Sequence, residues 1–110
     1  MKIAVLALAL ALPFATPAFA AEEGNTAISQ LGEINGIALA CQQAAIVSRA
    51  RNAVQTTAPK TRANGEIFEE ATSASYLQFG NGKKTCPDAA TLAKRLGEAE
   101  KQLSAAFPSR

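Results

Sequence analysis

The sequence predicts an all-α fold, a small three-helix bundle stapled by one disulfide, and three observations predict it. Apolar residues recur at threes and fours along the chain instead of alternating, the period of helices with one buried face. Two turn-rich stretches, "TTAPKT" at 56–61 and "FGNGKKT" at 79–85, cut that pattern into three segments. The only two cysteines, Cys41 and Cys86, both lie downstream of an apolar leader of the kind that directs a chain out of the cytoplasm.

The leader reads "MKIAVLALALALPFATPAFA". Lys2 supplies the charged start, Ile3 to Leu12 the apolar centre, Pro13 breaks it, and Ala18-Phe19-Ala20 forms a small-x-small cleavage site. Cleavage is expected after Ala20. The apolar run falls short of the roughly 20 residues a helix needs to cross the hydrocarbon, so no stable membrane insertion is expected once the leader is removed. The remaining residues, 21–110, are expected to form one helical domain, periplasmic or secreted.

The first helix is expected over about 27–55, with Ile28, Leu31, Ile34, Ile37, Cys41, Ala44, Ala45 and Val54 as one buried stripe. Residues 21–25 read as a mobile leader before it, with Asn25 or Thr26 as its cap. Pro59 stops the helix and pushes Ala58 toward extended backbone. Gly36, a poor helix former in mid-helix, offers an alternative: a break there makes the bundle a four-helix one. The second helix is expected over 62–78, with Ile67, Phe68, Ala71, Ala74 and Leu77 inward. The third is expected over 87–107, with Pro87 at the first helical position and Asp88 in the first turn. Its seam is Leu92, Leu96, Ala99, Leu103 and Phe107.

Exported thiols in an oxidising compartment pair, and a domain this small gains from a covalent staple. A Cys41–Cys86 disulfide is therefore expected. A redox-active pair is the weaker reading, because redox dithiols sit close together as Cys-x-x-Cys.

Composition excludes several chemistries. The chain has no histidine, so it lacks Ser-His and Cys-His nucleophile pairs and imidazole metal ligands. Its formal net charge is +2, one of those positive charges being the leader's Lys2, which gives no basis for nucleic-acid binding. Glu66, Glu69 and Glu70 share a helix face at i, i+3 and i+4. Such a trio is usually a solvated acidic face, since catalytic carboxylates are tuned by burial or a cleft, and hard-cation loops interleave acids with glycine and carbonyls. No catalytic residue, no cofactor and no metal is expected. The glutamate face keeps a small-ligand carrier open as an alternative.

Two surfaces remain. Gly32, Gly36, Ala40, Ala44 and Ser48 are each four apart, a ridge almost without side chains on a continuous helix. Either another helix of the same fold covers it, or it is the seam of a homodimer or a partner helix. Arg49, Arg51, Lys60 and Arg62 gather around the first loop as a basic patch for an anionic partner.

The leader, the cysteine pair and the helical tail "PDAATLAKRLGEAEKQLSAAF" together resemble, in plan, the periplasmic acid-stress chaperones of the HdeA/HdeB type, which are exported, small, helical and held by one disulfide. The resemblance implies a protein that binds other proteins when acid loosens its packing, and it carries over only Cys41 and Cys86. It departs from the family in having no tryptophan and in setting Cys41 inside the expected first helix. The function expected is non-enzymatic protein binding or chaperone-like activity in the bacterial periplasm. The alternative is a dedicated inhibitor, immunity-type protein or structural partner of one envelope protein.

Overall fold

The structure is a computed structural model, and it describes residues 16–108. The first fifteen residues of the expected leader lie outside the described residues. Among the described residues there are four helices: α1 (Thr16–Ala40), α2 (Ala44–Thr57), α3 (Arg62–Gly80) and α4 (Ala89–Ala106). The domain is an all-α bundle carrying a Cys41–Cys86 disulfide, with a Cα–Cα distance of 5.9 Å and a sequence separation of 45.

The helix expected over 27–55 is two helices, and the chain reverses at 41–43 instead of breaking at Gly36. Local hydrogen bonding explains where it turns. Gln42 takes a left-handed backbone (φ 60°), its N–H reaches the Leu39 carbonyl at 3.4 Å, and the Gln43 N–H reaches back to Ala38 at 2.8 Å. That pair of bonds is a Schellman stop, which satisfies carbonyls left over at a helix end. It has glutamine where glycine is usual, so periodicity and glycine placement gave no sign of it. Cys41 therefore sits in the turn after α1, not inside a helix.

Other boundaries shift for similar reasons. Residues 21–25, expected as a leader, belong to α1, where the buried Gly24 lies against the Phe107 ring. Thr61 caps α3, its side chain accepting from the Asn64 N–H at 3.1 Å, and the helix continues two residues past 78 to Gly80. Asp88, expected inside the last helix, caps it from outside by accepting the Thr91 N–H at 2.8 Å, so Pro87 precedes the cap.

α1 organises the bundle. Ile28, Leu31, Ile34, Ile37 and Ala38 are all essentially inaccessible, so the helix is buried around most of its circumference. Side-chain pairs fix the directions. Gly32 lies against Phe68 and Ala71, and Gly36 against Thr72 and Ser75, so α3 runs parallel to α1. Glu33 meets Arg95 and Gly24 meets Phe107, so α4 runs antiparallel to it. α2 and α4 pack on α1 and on each other, whereas α3 packs on α1 alone. The α4 seam is as expected, with Leu92, Leu96, Ala99 and Leu103 buried and Phe107 partly so.

The inward face of α3 is rotated from the expected one. Phe68, Thr72 and Ser75 are buried, Ile67 and Ala71 are partly covered, and Ala74 and Leu77 face solvent. Gly32 and Gly36 of α1 explain the rotation. With no side chain at Gly32 and Gly36, the helices approach backbone to backbone, and small residues fit that seam where leucine does not. Polar groups join it: Asn35 donates to the Thr72 hydroxyl at 3.2 Å, and that hydroxyl donates to the Gly32 carbonyl at 3.2 Å. Asn35 is 1 % exposed, and its Oδ1 has no partner among the described residues.

Candidate functional site

The one-sided packing of α3 leaves a shallow groove along α2, made of one hollow against the end of α1 and a second that faces α3. Near the chain reversal it is lined by Ala38, Leu39, Gln42, Gln43, Ala44, Val47 and Ser48. Toward the α2–α3 connector it is lined by Arg51, Val54, Gln55, Gly65, Phe68 and Glu69. On α2 these positions are 44, 47, 48, 51, 54 and 55, a run of threes and fours that forms one strip of a helix. The two ends are therefore one continuous face of α2.

On α3 the hollow is lined by Gly65, Phe68 and Glu69, and Tyr76 continues the Gly65–Glu69 strip of that helix at a spacing of seven. Three large apolar side chains of the described residues stand in solvent: Leu39 at 37 %, Tyr76 at 48 % and Leu77 at 58 %. Leu39 lies in this groove, Tyr76 lies on its α3 strip, and Leu77 points away on the outer side of α3. Val47 and Val54, seven residues and about 10 Å apart along the helix axis, are half-covered on the α2 wall. The surface is apolar at its floor and mixed in charge at the connector end, where Arg51 and Glu69 face the same space.

Comparison of the chain with protein-family models, curated proteins and solved structures finds no match. The functional reading therefore stands on the geometry.

The small-residue ridge is divided by the turn at 41–43. Gly32 and Gly36 are core: a Cβ on Gly32 would lie 2.6 Å from the Phe68 carbonyl oxygen, and one on Gly36 would run into the Thr72 carbonyl. Ala40 ends α1 half-buried, while Ala44 and Ser48 are exposed on α2 and line the open groove. The five residues do not form one ridge, because the chain reverses between the fourth-residue steps at 40 and 44.

The basic patch is divided too. Arg49 turns to α4, donating through Nη2 and Nε to Glu100 at 2.8 and 3.0 Å. The Glu100 hydrogen bond raises the Arg49 pKa. Arg51, two residues on, points elsewhere on the helix and into the groove. Lys60 and Arg62 are exposed at the connector that crosses the groove's end. Glu66, Glu69 and Glu70 are all exposed on α3, and only Glu69 touches the groove. Among the described residues no group of three acidic or sulfur ligands is placed to hold a metal ion.

Sequence reasoning missed Leu39, Val47 and Tyr76. Leu39 falls outside the expected α1 stripe, and Tyr76 belongs to neither face assigned to the second helix. The available signal was the strip Ala44, Val47, Ser48, Arg51, Val54 and Gln55, hidden while 27–55 reads as one straight helix.

Proposed function

We propose that this chain is an exported, non-enzymatic protein-binding domain that receives an amphipathic helix of its partner in the groove along α2. The observation that carries the reading is the position of Leu39 and Tyr76. Both are large apolar groups left in solvent, Leu39 in the hollow at the chain reversal and Tyr76 on the helix face that carries Gly65 and Glu69 into the hollow between α2 and α3. A helix laid there presents apolar residues at i, i+3, i+4 and i+7 to Leu39, Val47, Val54 and Phe68, the usual way an amphipathic segment occupies a groove. No described helix is long and apolar enough to cross a membrane, and the disulfide suits an oxidising compartment. Both are compatible with cleavage after Ala20 and residence in the periplasm.

Photo-crosslinking from position 47, compared with position 101 on the exposed face of α4, tests the proposal in envelope extract. One stoichiometric adduct from position 47, lost when Leu39→Glu is added to a folded variant, supports a dedicated partner. A ladder of unrelated adducts supports the chaperone-like form of the same binding. Equal labelling from both positions, or none from either, refutes the groove as the site.

A further inference from the structure

The chain contains Asn-Gly three times, at Asn35-Gly36, Asn64-Gly65 and Asn81-Gly82, and the fold places the three in different surroundings. Asparagine before glycine is chemically labile because the following backbone nitrogen is unhindered by a side chain and can reach the asparagine carboxamide carbon. We infer that Asn81 is a site of spontaneous deamidation in the folded protein, and that the fold protects the other two.

The reaction is a cyclisation followed by hydrolysis. The Gly82 nitrogen, losing its proton to solvent base, bonds to Cγ of Asn81; the Cγ–Nδ2 bond breaks and ammonia leaves, giving a cyclic imide. Water then adds to one of the two imide carbonyls. The product is aspartate if water opens the ring at Cγ, and isoaspartate if it opens the ring at the main-chain carbonyl carbon, so that the backbone then passes through Cγ. More explicitly, breaking the bond from the Gly82 nitrogen to Cγ restores the ordinary backbone, and breaking its bond to the α-carbonyl carbon gives the isoaspartyl one. The net change is one carboxamide and one water converted to one carboxylate and one ammonium, with no oxidant or reductant.

Structure decides which asparagine can reach the attack geometry. Asn35 is 1 % exposed in the middle of α1, its amide is bonded to Thr72, and Gly36 is pressed against α3. Asn64 is in the first turn of α3, where its Nδ2 donates to the Pro59 carbonyl at 2.9 Å and the Gly65 N–H donates to Thr61 at 3.1 Å. Rotating either backbone breaks helix. Asn81 is exposed beyond the end of α3, and its side chain has no hydrogen-bond partner among the described residues. Rotation of its ψ from −2° breaks one long bond, from the Gly82 N–H to Phe79 at 3.3 Å. A Cβ on Gly80 or Gly82 would touch nothing within 4 Å, so the space on both sides of Asn81 is open. The product carboxylate arises beside Lys83 and Lys84, and it lowers the charge of that loop by one.

The oxidised full-length mature protein is incubated in mildly alkaline buffer and mapped by tryptic digestion with fragment-ion sequencing. The peptide from Ala63 to Lys83 carries both Asn64 and Asn81, so one spectrum compares them directly. Conversion at Asn81 is expected to be roughly tenfold faster or more than at Asn64, with Asn35 slowest, because the helical sites react only from locally opened states. In urea with the disulfide reduced, the three rates converge. The Asn81→Gln variant loses the acidic species that accumulates on isoelectric focusing. Native rates at Asn81 no faster than at Asn64, or an acidic species that survives Asn81→Gln, overturn the inference.

Discussion

Replacing Gly36 by alanine tests the packing of α3 on α1, because two physical effects of opposite sign meet there. In a helix interior exposed to solvent the change stabilises by about 1 kcal/mol, since glycine has more backbone freedom to lose. Here the new methyl would stand 2.9 Å from both the Ser75 Cβ and the Tyr76 nitrogen, and closer still to the Thr72 carbonyl oxygen. Two of those three atoms are backbone and cannot rotate away, so α3 must retreat by about half an ångström or more, which forfeits a quarter or more of each dispersion contact along the seam. Overpacking of this kind costs about 1–3 kcal/mol. Straining the Asn35–Thr72–Gly32 hydrogen bonds adds about 1 kcal/mol.

The net expectation is a destabilisation of about 2 kcal/mol, or a Tm lower by roughly 10 °C for a domain of this size. Gly97→Ala is the matched control. Gly97 lies inside α4, and a Cβ there meets only the flexible Arg49 Nη2 at 3.9 Å, so that variant should gain about 1 kcal/mol. Thermal and urea unfolding of the two oxidised variants, followed by circular dichroism, reads both signs. A Gly36→Ala protein as stable as the parent, or shifted in the same direction as Gly97→Ala, would refute the close α1–α3 contact.

Three further outcomes are expected. Gln42→Gly relieves a left-handed backbone that costs a non-glycine residue about 1–2 kcal/mol, part of it returned through the looser unfolded chain, so urea unfolding should show a gain of about 0.5–1 kcal/mol; Gln42→Ala should show none. Reduction of Cys41–Cys86 reopens a 45-residue separation, and the chain-entropy model puts the loss at about 4 kcal/mol, so the urea midpoint should fall steeply on adding reductant. The Thr91 hydroxyl, and after it the Thr91 N–H, hold the Asp88 carboxylate below its ordinary pKa. The cap's contribution is then complete above the unfolded-state pKa and lost as the pH falls through the folded-state value, so the stability gap between parent and Asp88→Ala should narrow on acidification. A gap independent of pH would show that ionised Asp88 is not the cap.

The α4 seam, the loops on either side of α3 and the disulfide were all legible in the order of residues. Leu92, Leu96, Ala99 and Leu103 pack where their spacing puts them, because a helix with one buried face repeats that face every three or four residues. The proline and glycine stops acted locally and were read locally. α1 was harder, since a helix buried around most of its circumference has no polar face to contrast with the apolar one. Its end at Gln42 was hidden because a glutamine adopts there a backbone that ordinarily signals itself with glycine or asparagine.

By itself, then, the sequence determined an all-α domain of helical segments tied by Cys41 and Cys86, and it excluded histidine chemistry. Only the tertiary structure decided that Gly32 and Gly36 are core while Ala44 and Ser48 line an open groove. It also decided that α3 touches α1 alone and leaves Leu39 and Tyr76 in solvent. The physical reason is that periodicity records which residues of a helix share a face. It does not record which neighbour covers that face, and a single turn at 41–43 redirected half of the first segment.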